Sequence, residues 1–256
     1  MAEGSAAGSD RAVGDDAHTT AVQWGVFSFV DSIPGVAAAL AAGLDWVCLD
    51  EQHGRWDDAR TLAALDTLPA GPGRILVRVR SLDNGLIGRA LDAGAHGVIV
   101  PMVESVEQAE AAVAEVRYPP AGSRSFGPIA APHGAPSDTQ AANAANLCVV
   151  MIETAAALAA VEEIAAVPGV DLLFVGPFDL SLSLGTDVDG LLADGTAGPL
   201  GRVVAAAAAS GIRAGAFAGT PARARRMAEL GLTFIAATTD TDVVERGLSS
   251  VLSQLS

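Results

Sequence analysis

Lysine is absent from this 256-residue chain: all 15 basic residues are arginine. A side-chain Schiff base needs a lysine amine, so that route to carbanion chemistry is closed. Any enolate formed here has to be stabilised by a metal ion or by hydrogen-bond donors. Aromatic residues are scarce, at 4 %, so the core has to be built from Ala, Val, Leu and Ile. There are two cysteines, Cys48 and Cys148, each inside an apolar run (WVCLD, NLCVVMI) and neither in a CxxC or Cys/His zinc spacing. They read as small buried hydrophobes with no disulfide between them. No apolar run approaches the roughly 20 residues of a membrane span. The polar, acidic start has no apolar stretch ahead of a cleavage site, unlike a secretory signal. A cytoplasmic protein is expected. Positive charge is short as well. The formal net charge of −15 repels nucleic acid and anionic membranes and favours solubility. GxGxxG and GxxxxGKS/T are both missing, which argues against an open doubly wound sheet.

Apolar material is plentiful, at 50 % against 18 % charged, ample for a buried core. Met1 to about Thr20 is rich in Gly, Ala, Ser and Asp without periodicity, and reads as a disordered tail. After it, short apolar runs alternate with Ala/Leu-rich helical patterns. The strand candidates are 22–27, 46–49, 75–79, 97–100, 148–152, 172–175, 212–217 and 233–237. They are apolar nearly throughout, as strands buried on both faces of a parallel sheet should be. Helical patterns cover 34–42, 57–68, 84–93, 106–116, 155–166, 200–210, 221–230 and 241–255. Gly43, Gly94, Gly211 and Gly231 follow four of them as stop signals. Eight strand–helix pairs in strict alternation predict an α/β fold, a (β/α)8 TIM barrel forming one domain over 21–256. The segment from Tyr118 to Asn146 has no clear repeat and reads as a long functional or interface loop.

In a barrel, chemistry sits where strands end on the C-terminal face. Asp50-Glu51-Gln52-His53-Gly54 follows the second strand, Glu153-Thr154 the fifth, and Gly176-Pro177-Phe178-Asp179 the sixth. Glu153 and Asp179 together make a hard oxygen site suited to Mg²⁺ or Mn²⁺. Each could equally be a helix cap, Asp179 above all. His53 is the histidine at a C-terminal strand end, either a general base or a surface loop residue. His18 lies in the tail, His96 before a strand on the stability face, and His133 in the long loop. Arg78 and Arg80 alternate with apolar residues in the third strand and so share a face. A charge there must be paired or must face the site. A guanidinium can bind a carboxylate bidentately or stabilise a forming enolate oxygen. Asp92, late in the third helix, reads from spacing only as a solvent-facing residue.

Taken together, LDWVCLDEQHG, ILVRVRSLDNGLIGRALDAGAHGVIVPMVESVEQA, RYPPAGSRSFG, VVMIETAAALAAVEEIAAVPGVDLLFVGPFDLSLSLG and GLTFIAATTDT resemble the HpcH/HpaI aldolase family of metal-dependent pyruvate aldolases. The resemblance runs from about Trp24 to the C-terminus. It implies a TIM barrel, usually hexameric, with a C-terminal helix exchanged between subunits. It implies a divalent ion (Mg²⁺, Mn²⁺ or Co²⁺) on Glu153 and Asp179, and no organic cofactor. It further implies His53 as base or relay, Asp92 raising that histidine's basicity, Arg78 stabilising the enolate, and Asp50 supporting the site. Gly176, Pro177, Phe178, Met151 and Gln52 are expected around the substrate. Three of these depart from the family pattern. Gln52 stands where a Glu is frequent, Met151 where some relatives carry Gln, and Phe178 where many carry Ala.

The expected partners are a small 2-oxo acid and an aldehyde. The expected reaction is reversible aldol cleavage of a 4-hydroxy-2-oxo acid. Decarboxylation of a 2-oxo diacid such as oxaloacetate uses the same enolate and stays open. A citrate-lyase-like CoA-ester lyase is disfavoured by the EQHG and YPPAGSR segments. A non-catalytic barrel used for binding or assembly is disfavoured by the intact site residues.

Overall fold

The computed structural model describes residues 21–255, apart from 69, 70, 72, 131–135 and 137. The tail, with His18, and the loop histidine His133 therefore lie outside the described residues. Eight strands run β1 (Gln23–Ser28), β2 (Trp46–Asp50), β3 (Arg74–Arg78), β4 (Gly97–Val100), β5 (Leu147–Ile152), β6 (Leu172–Val175), β7 (Arg213–Phe217) and β8 (Phe234–Thr239). All neighbours pair in parallel, and β8 closes on β1. The expected (β/α)8 barrel is the fold observed.

Helices α1 (Ile33–Ala41), α2 (Asp58–Thr67), α3 (Asn84–Asp92) and α4 (Val106–Val116) follow the first four strands. Then come α5 (Thr139–Ala145), α6 (Ala155–Ala159), α7 (Val161–Ala165), α8 (Pro177–Ser183) and α9 (Val188–Ala193). The last three are α10 (Pro199–Ala209), α11 (Pro221–Glu229) and α12 (Asp240–Leu255). Local chemistry starts them. Ser32, Asp57, Asp83, Ser105, Thr154 and Thr220 each accept a hydrogen bond from the backbone N–H three residues on, satisfying a donor the helix itself cannot. The four stop glycines all take positive φ, which a side chain would resist.

Three expectations need correction. The segment 118–146 is not loop throughout, because Asp138 caps the short helix α5. Helices α8 and α9, of seven and six residues, are too short to leave a clear periodicity. The helix expected over 155–166 breaks at Ala160, which leaves helical geometry at φ −101°, ψ 17°. Arg80 does not share the fate of Arg78 either. Strand β3 ends at Arg78, and Arg80 lies beyond it, exposed.

The core has two compartments. A large aliphatic layer fills the space between sheet and helices, with Val47, Leu49, Val98, Val150 and Val175 among its fully buried members. A smaller, aromatic cluster fills the barrel interior: Phe27, Trp46, Phe174 and Phe234 with Leu76, Ile99 and Met151. At the strands' N-terminal end Trp46 stacks on Phe234, 4.1 Å between centroids and 8° between planes. Arg213 lies over the Phe234 ring. That end is a solid plug, so a site can form only at the other. His96 sits at the plugged end, where its Nδ1 accepts the Ile75 N–H at 3.1 Å. Both cysteines are buried and free, and burial pushes the Cys148 thiol up to about 12.

Helix α12 departs from the barrel pattern, since none of its residues is buried. Val244, Leu248, Val251 and Leu255 are all exposed, and their spacing gives the helix an apolar stripe in solvent. Its first residue is nonetheless fixed. The Asp240 carboxylate accepts the backbone N–H groups of Phe29 and Val30 and the Ser28 hydroxyl. Among the described residues no helix is long and apolar enough to cross a membrane.

Candidate active site at the C-terminal mouth

The mouth of the barrel opens over a cavity of about 310 Å³. Its polar lining is His53, Arg78 and Asp179. The rest is Met151, Gly176, Pro177 and five phenylalanines: Phe27, Phe29, Phe174, Phe178 and Phe217. The structure thus brings together residues from the ends of β1, β2, β3, β5, β6 and β7.

Asp50 and Arg78 are register partners on β2 and β3. Asp50 Oδ1 accepts from Arg78 Nε at 2.9 Å, and Oδ2 from Nη2 at 2.6 Å. Asp50 is wholly buried. Burial works against the Arg78 charge, but the hydrogen bond and charge of Asp50 outweigh it and push the guanidinium pKa up. Arg78 also sits 5.0 Å above the Phe27 ring centroid. Two of its nitrogens are committed to Asp50, and the residue lines the cavity. Asp50 Oδ1 also accepts the backbone N–H groups of Gln52 and His53, so one carboxylate fixes both the arginine and the turn that carries the histidine.

His53 is exposed on the rim, and its imidazole makes no hydrogen bond with a described residue. Gln52 does not reach the cavity: its side-chain oxygen is buried without a partner. Asp92 does not reach it either. It ends α3, which runs back against the strands, so it lies at the opposite end of the barrel from His53. There its Oδ1 accepts from Arg124 Nη2 at 2.7 Å, and Arg124 stacks on Tyr118. Orientation of His53 by Asp92 is therefore not made within one chain.

Glu153 follows β5, Asp179 lies in the first turn of α8 just after the neighbouring β6, and neither caps a helix. Thr154 caps α6. Helix α8 has Gly176 at its N-cap position and no side-chain cap. Glu153 is buried, and its Oε1 accepts the Met102 N–H at 2.7 Å. Burial pushes its pKa up; the Met102 hydrogen bond opposes this, and the charge of Asp179 adds to it. The two carboxylates are close enough to repel, the Arg78 charge works the other way on Glu153, and among the described residues neither carboxylate has an ion-pair partner. A buried carboxylate, Glu153, beside an exposed one, Asp179, fits a hard divalent ion. The pair supplies two oxygens and leaves the remaining positions to water or substrate, as Mg²⁺ favours. No group of three or more His, Cys, Asp or Glu that could hold an ion occurs among the described residues.

Two features escaped the sequence reading. Met102, just past β4, is the one non-glycine described residue with positive φ, at 57°. That conformation turns its N–H toward Glu153, and such strain concentrates at functional positions. Its signal was only its place at a strand end. The phenylalanine lining left only a partial signal in the sequence. Phe27 and Phe29 are two apart at the end of β1, and the chain has only seven phenylalanines to place.

A closed parallel barrel with its polar side chains gathered at the C-terminal mouth has the layout of a barrel enzyme. The family model described as HpcH/HpaI aldolase/citrate lyase matches residues 23–246, and the chain belongs to that family. The hydroxypyruvate/pyruvate aldolase of Paraburkholderia phytofirmans is 40 % identical over 86 % of this chain and 88 % of its own. The 2-dehydro-3,6-dideoxy-6-sulfogluconate aldolase of Pseudomonas putida is 38 % identical over 78 % of this chain and 79 % of its own. The crystal structure of a family member from Burkholderia cenocepacia J2315 superposes with a TM-score of 0.83, at 32 % identity over 93 % of this chain and 96 % of that one.

Proposed function

We propose that this chain is a divalent-metal-dependent carbon–carbon lyase that cleaves a 4-hydroxy-2-oxo acid, reversibly, to pyruvate or a related 2-oxo acid and an aldehyde. The observation that carries the reading is the carboxylate pair Glu153 and Asp179, neither of them a helix cap, at the mouth whose cavity Asp179 and Arg78 line. The aldolase names of the similar curated proteins support it.

A Mg²⁺, Mn²⁺ or Co²⁺ ion held by Glu153 and Asp179 would supply Lewis acidity to the keto group of the oxo acid. Arg78, held rigid by Asp50, binds the oxo acid and steadies the negative charge that develops on cleavage. His53 on the rim takes the proton of the 4-hydroxyl as the carbon–carbon bond breaks. It returns a proton to the methylene carbon that becomes the pyruvate methyl. The apolar walls keep bulk water from the enolate. Asp92 can take part only from a neighbouring chain. Assembly belongs to the same proposal: the bare apolar stripe of α12 is covered by another copy, in a homo-oligomer of hexameric type.

The test is pyruvate release from a 4-hydroxy-2-oxo acid before and after chelation. Activity should vanish with EDTA and return with Mg²⁺, Mn²⁺ or Co²⁺; full resistance to chelation would overturn the proposal. Oxaloacetate assayed alongside separates cleavage from decarboxylation as the faster reaction.

A further inference from the structure

Five of the seven phenylalanines of an aromatic-poor chain line one cavity. Their rings form a connected wall. Phe178 lies 5.9 Å from Phe217, Phe217 lies 5.4 Å from Phe27, and Phe27 lies 6.5 Å from Phe29 and 5.8 Å from Phe174. The wall starts deep in the barrel and ends at Phe178, which stays 46 % exposed beside Asp179. A large ring left wet at the rim of a site is a surface for a ligand.

Charge points the same way. The basic groups in the lining are Arg78 and His53. Arg78 has two of its nitrogens on Asp50, and its remaining face serves the oxo acid. His53 is taken up by the proton transfer proposed above, so among the described lining residues no permanent cation is left for a second anionic group. A carboxylate, phosphate or sulfonate on the aldehyde would meet rings instead, without a partner for its charge. Size agrees as well. A benzene-sized ligand needs on the order of 150 Å³, and the cavity of about 310 Å³ then leaves comparable room for a three-carbon oxo acid.

We propose that the acceptor aldehyde is uncharged and apolar, an aromatic or longer aliphatic aldehyde seated against the wall that ends in Phe178. This rests on the aldolase reading above. In the bond-forming direction, the enolate carbon of pyruvate attacks the aldehyde carbon. The carbonyl electron pair moves to the aldehyde oxygen, which takes one proton. The reverse reaction breaks the same bond and returns that proton, and no oxidant or reductant is involved.

The full chain with Mg²⁺ and pyruvate is offered benzaldehyde, hexanal, succinic semialdehyde and glyceraldehyde, and aldol product is followed by mass spectrometry. In parallel, deuterium uptake into the pyruvate methyl is followed by NMR without aldehyde. Methyl exchange is expected, with kcat/KM for benzaldehyde or hexanal at least about tenfold above the charged and hydroxylated aldehydes. Exchange with equal or better use of succinic semialdehyde overturns this inference and leaves the enolate reading standing. Absence of exchange takes both down. A Phe178→Arg variant is expected to move the hexanal-to-succinic-semialdehyde ratio toward the anionic aldehyde, each rate read relative to the other. An unchanged ratio removes the aromatic wall as the determinant.

Discussion

Asp50 grips Arg78 through both oxygens, at 2.9 and 2.6 Å, and both residues are buried. The pair is more than a stabilising contact. It fixes the guanidinium in the cavity wall at a set angle, and the same carboxylate anchors the turn bearing His53. Replacement of one partner should therefore uncouple stability from activity in opposite ways. Asp50→Ala strands a buried guanidinium and should cost about 3–5 kcal/mol, read as a lowered thermal midpoint. Arg78→Lys keeps the charge but loses the two-pronged grip. It should lower kcat/KM about 100-fold or more with a smaller change in midpoint.

Burial pushes the Glu153 carboxyl up, and the sign of its pH effect follows. The folded state holds this proton more tightly than the unfolded chain. Its ionisation thus costs stability, a cost absent below the ordinary carboxylate pKa and complete once pH has risen past the raised value. In metal-free protein Glu153→Gln should raise the midpoint at neutral pH by about 2 °C or more, the shift expected for about 1 kcal/mol in a chain of this size. It should also abolish stabilisation by Mn²⁺ and nearly all turnover. In wild type, Mn²⁺ affinity should weaken as pH falls through the same window. Calorimetry across pH checks both.

Gly176 marks how closely the chain passes Glu153. A Cβ there would lie 2.6 Å from Glu153 Oε2 and 3.0 Å from Met151 Cε. Gly176→Ala should leave the barrel folded, at a cost of about 1–3 kcal/mol, but push the carboxylate aside. Titration calorimetry should show Mn²⁺ binding weakened at least about tenfold, since misplacing one of two protein ligands forfeits much of the site.

Met102 tests whether strain serves the site. Met102→Gly accepts positive φ at no steric cost and keeps the N–H on Glu153, so activity should stay within about threefold. Met102→Pro removes that N–H and cannot adopt the conformation. Its metal affinity and turnover should both collapse while circular dichroism keeps a barrel signature.

For assembly, Leu248→Glu with Val251→Glu places two charges on the bare stripe of α12. Sedimentation velocity should show the proposed oligomer for the wild type and single chains for the variant. An unchanged oligomer would place the interface elsewhere.

The barrel was legible because eight apolar runs alternate with helical patterns, and each strand is apolar enough to be buried on both faces. The strand ends then nominated Glu153, Asp179, His53 and Arg78 for one mouth. What periodicity could not see was short or distant. Helices α8 and α9 span less than two turns. The side of Asp92 depends on which end of the barrel α3 finishes at, and Arg124 claims its carboxylate there. The aromatic wall required knowing that β1, β6, β7 and α8 converge, which no local window contains. Arg80 misled because alternation is informative only while the strand continues, and β3 stops two residues earlier.

The stacked Trp46 and Phe234 at the far end make the barrel interior a blind shaft. Water and protons have a single doorway, and His53 stands on its threshold. Once a substrate fills the opening, the reacting carbon is cut off from bulk solvent on every other side. In the proposed reaction, proton traffic would run past that imidazole, and the lifetime of the enolate would be governed by the same ring-lined entrance that admits the aldehyde.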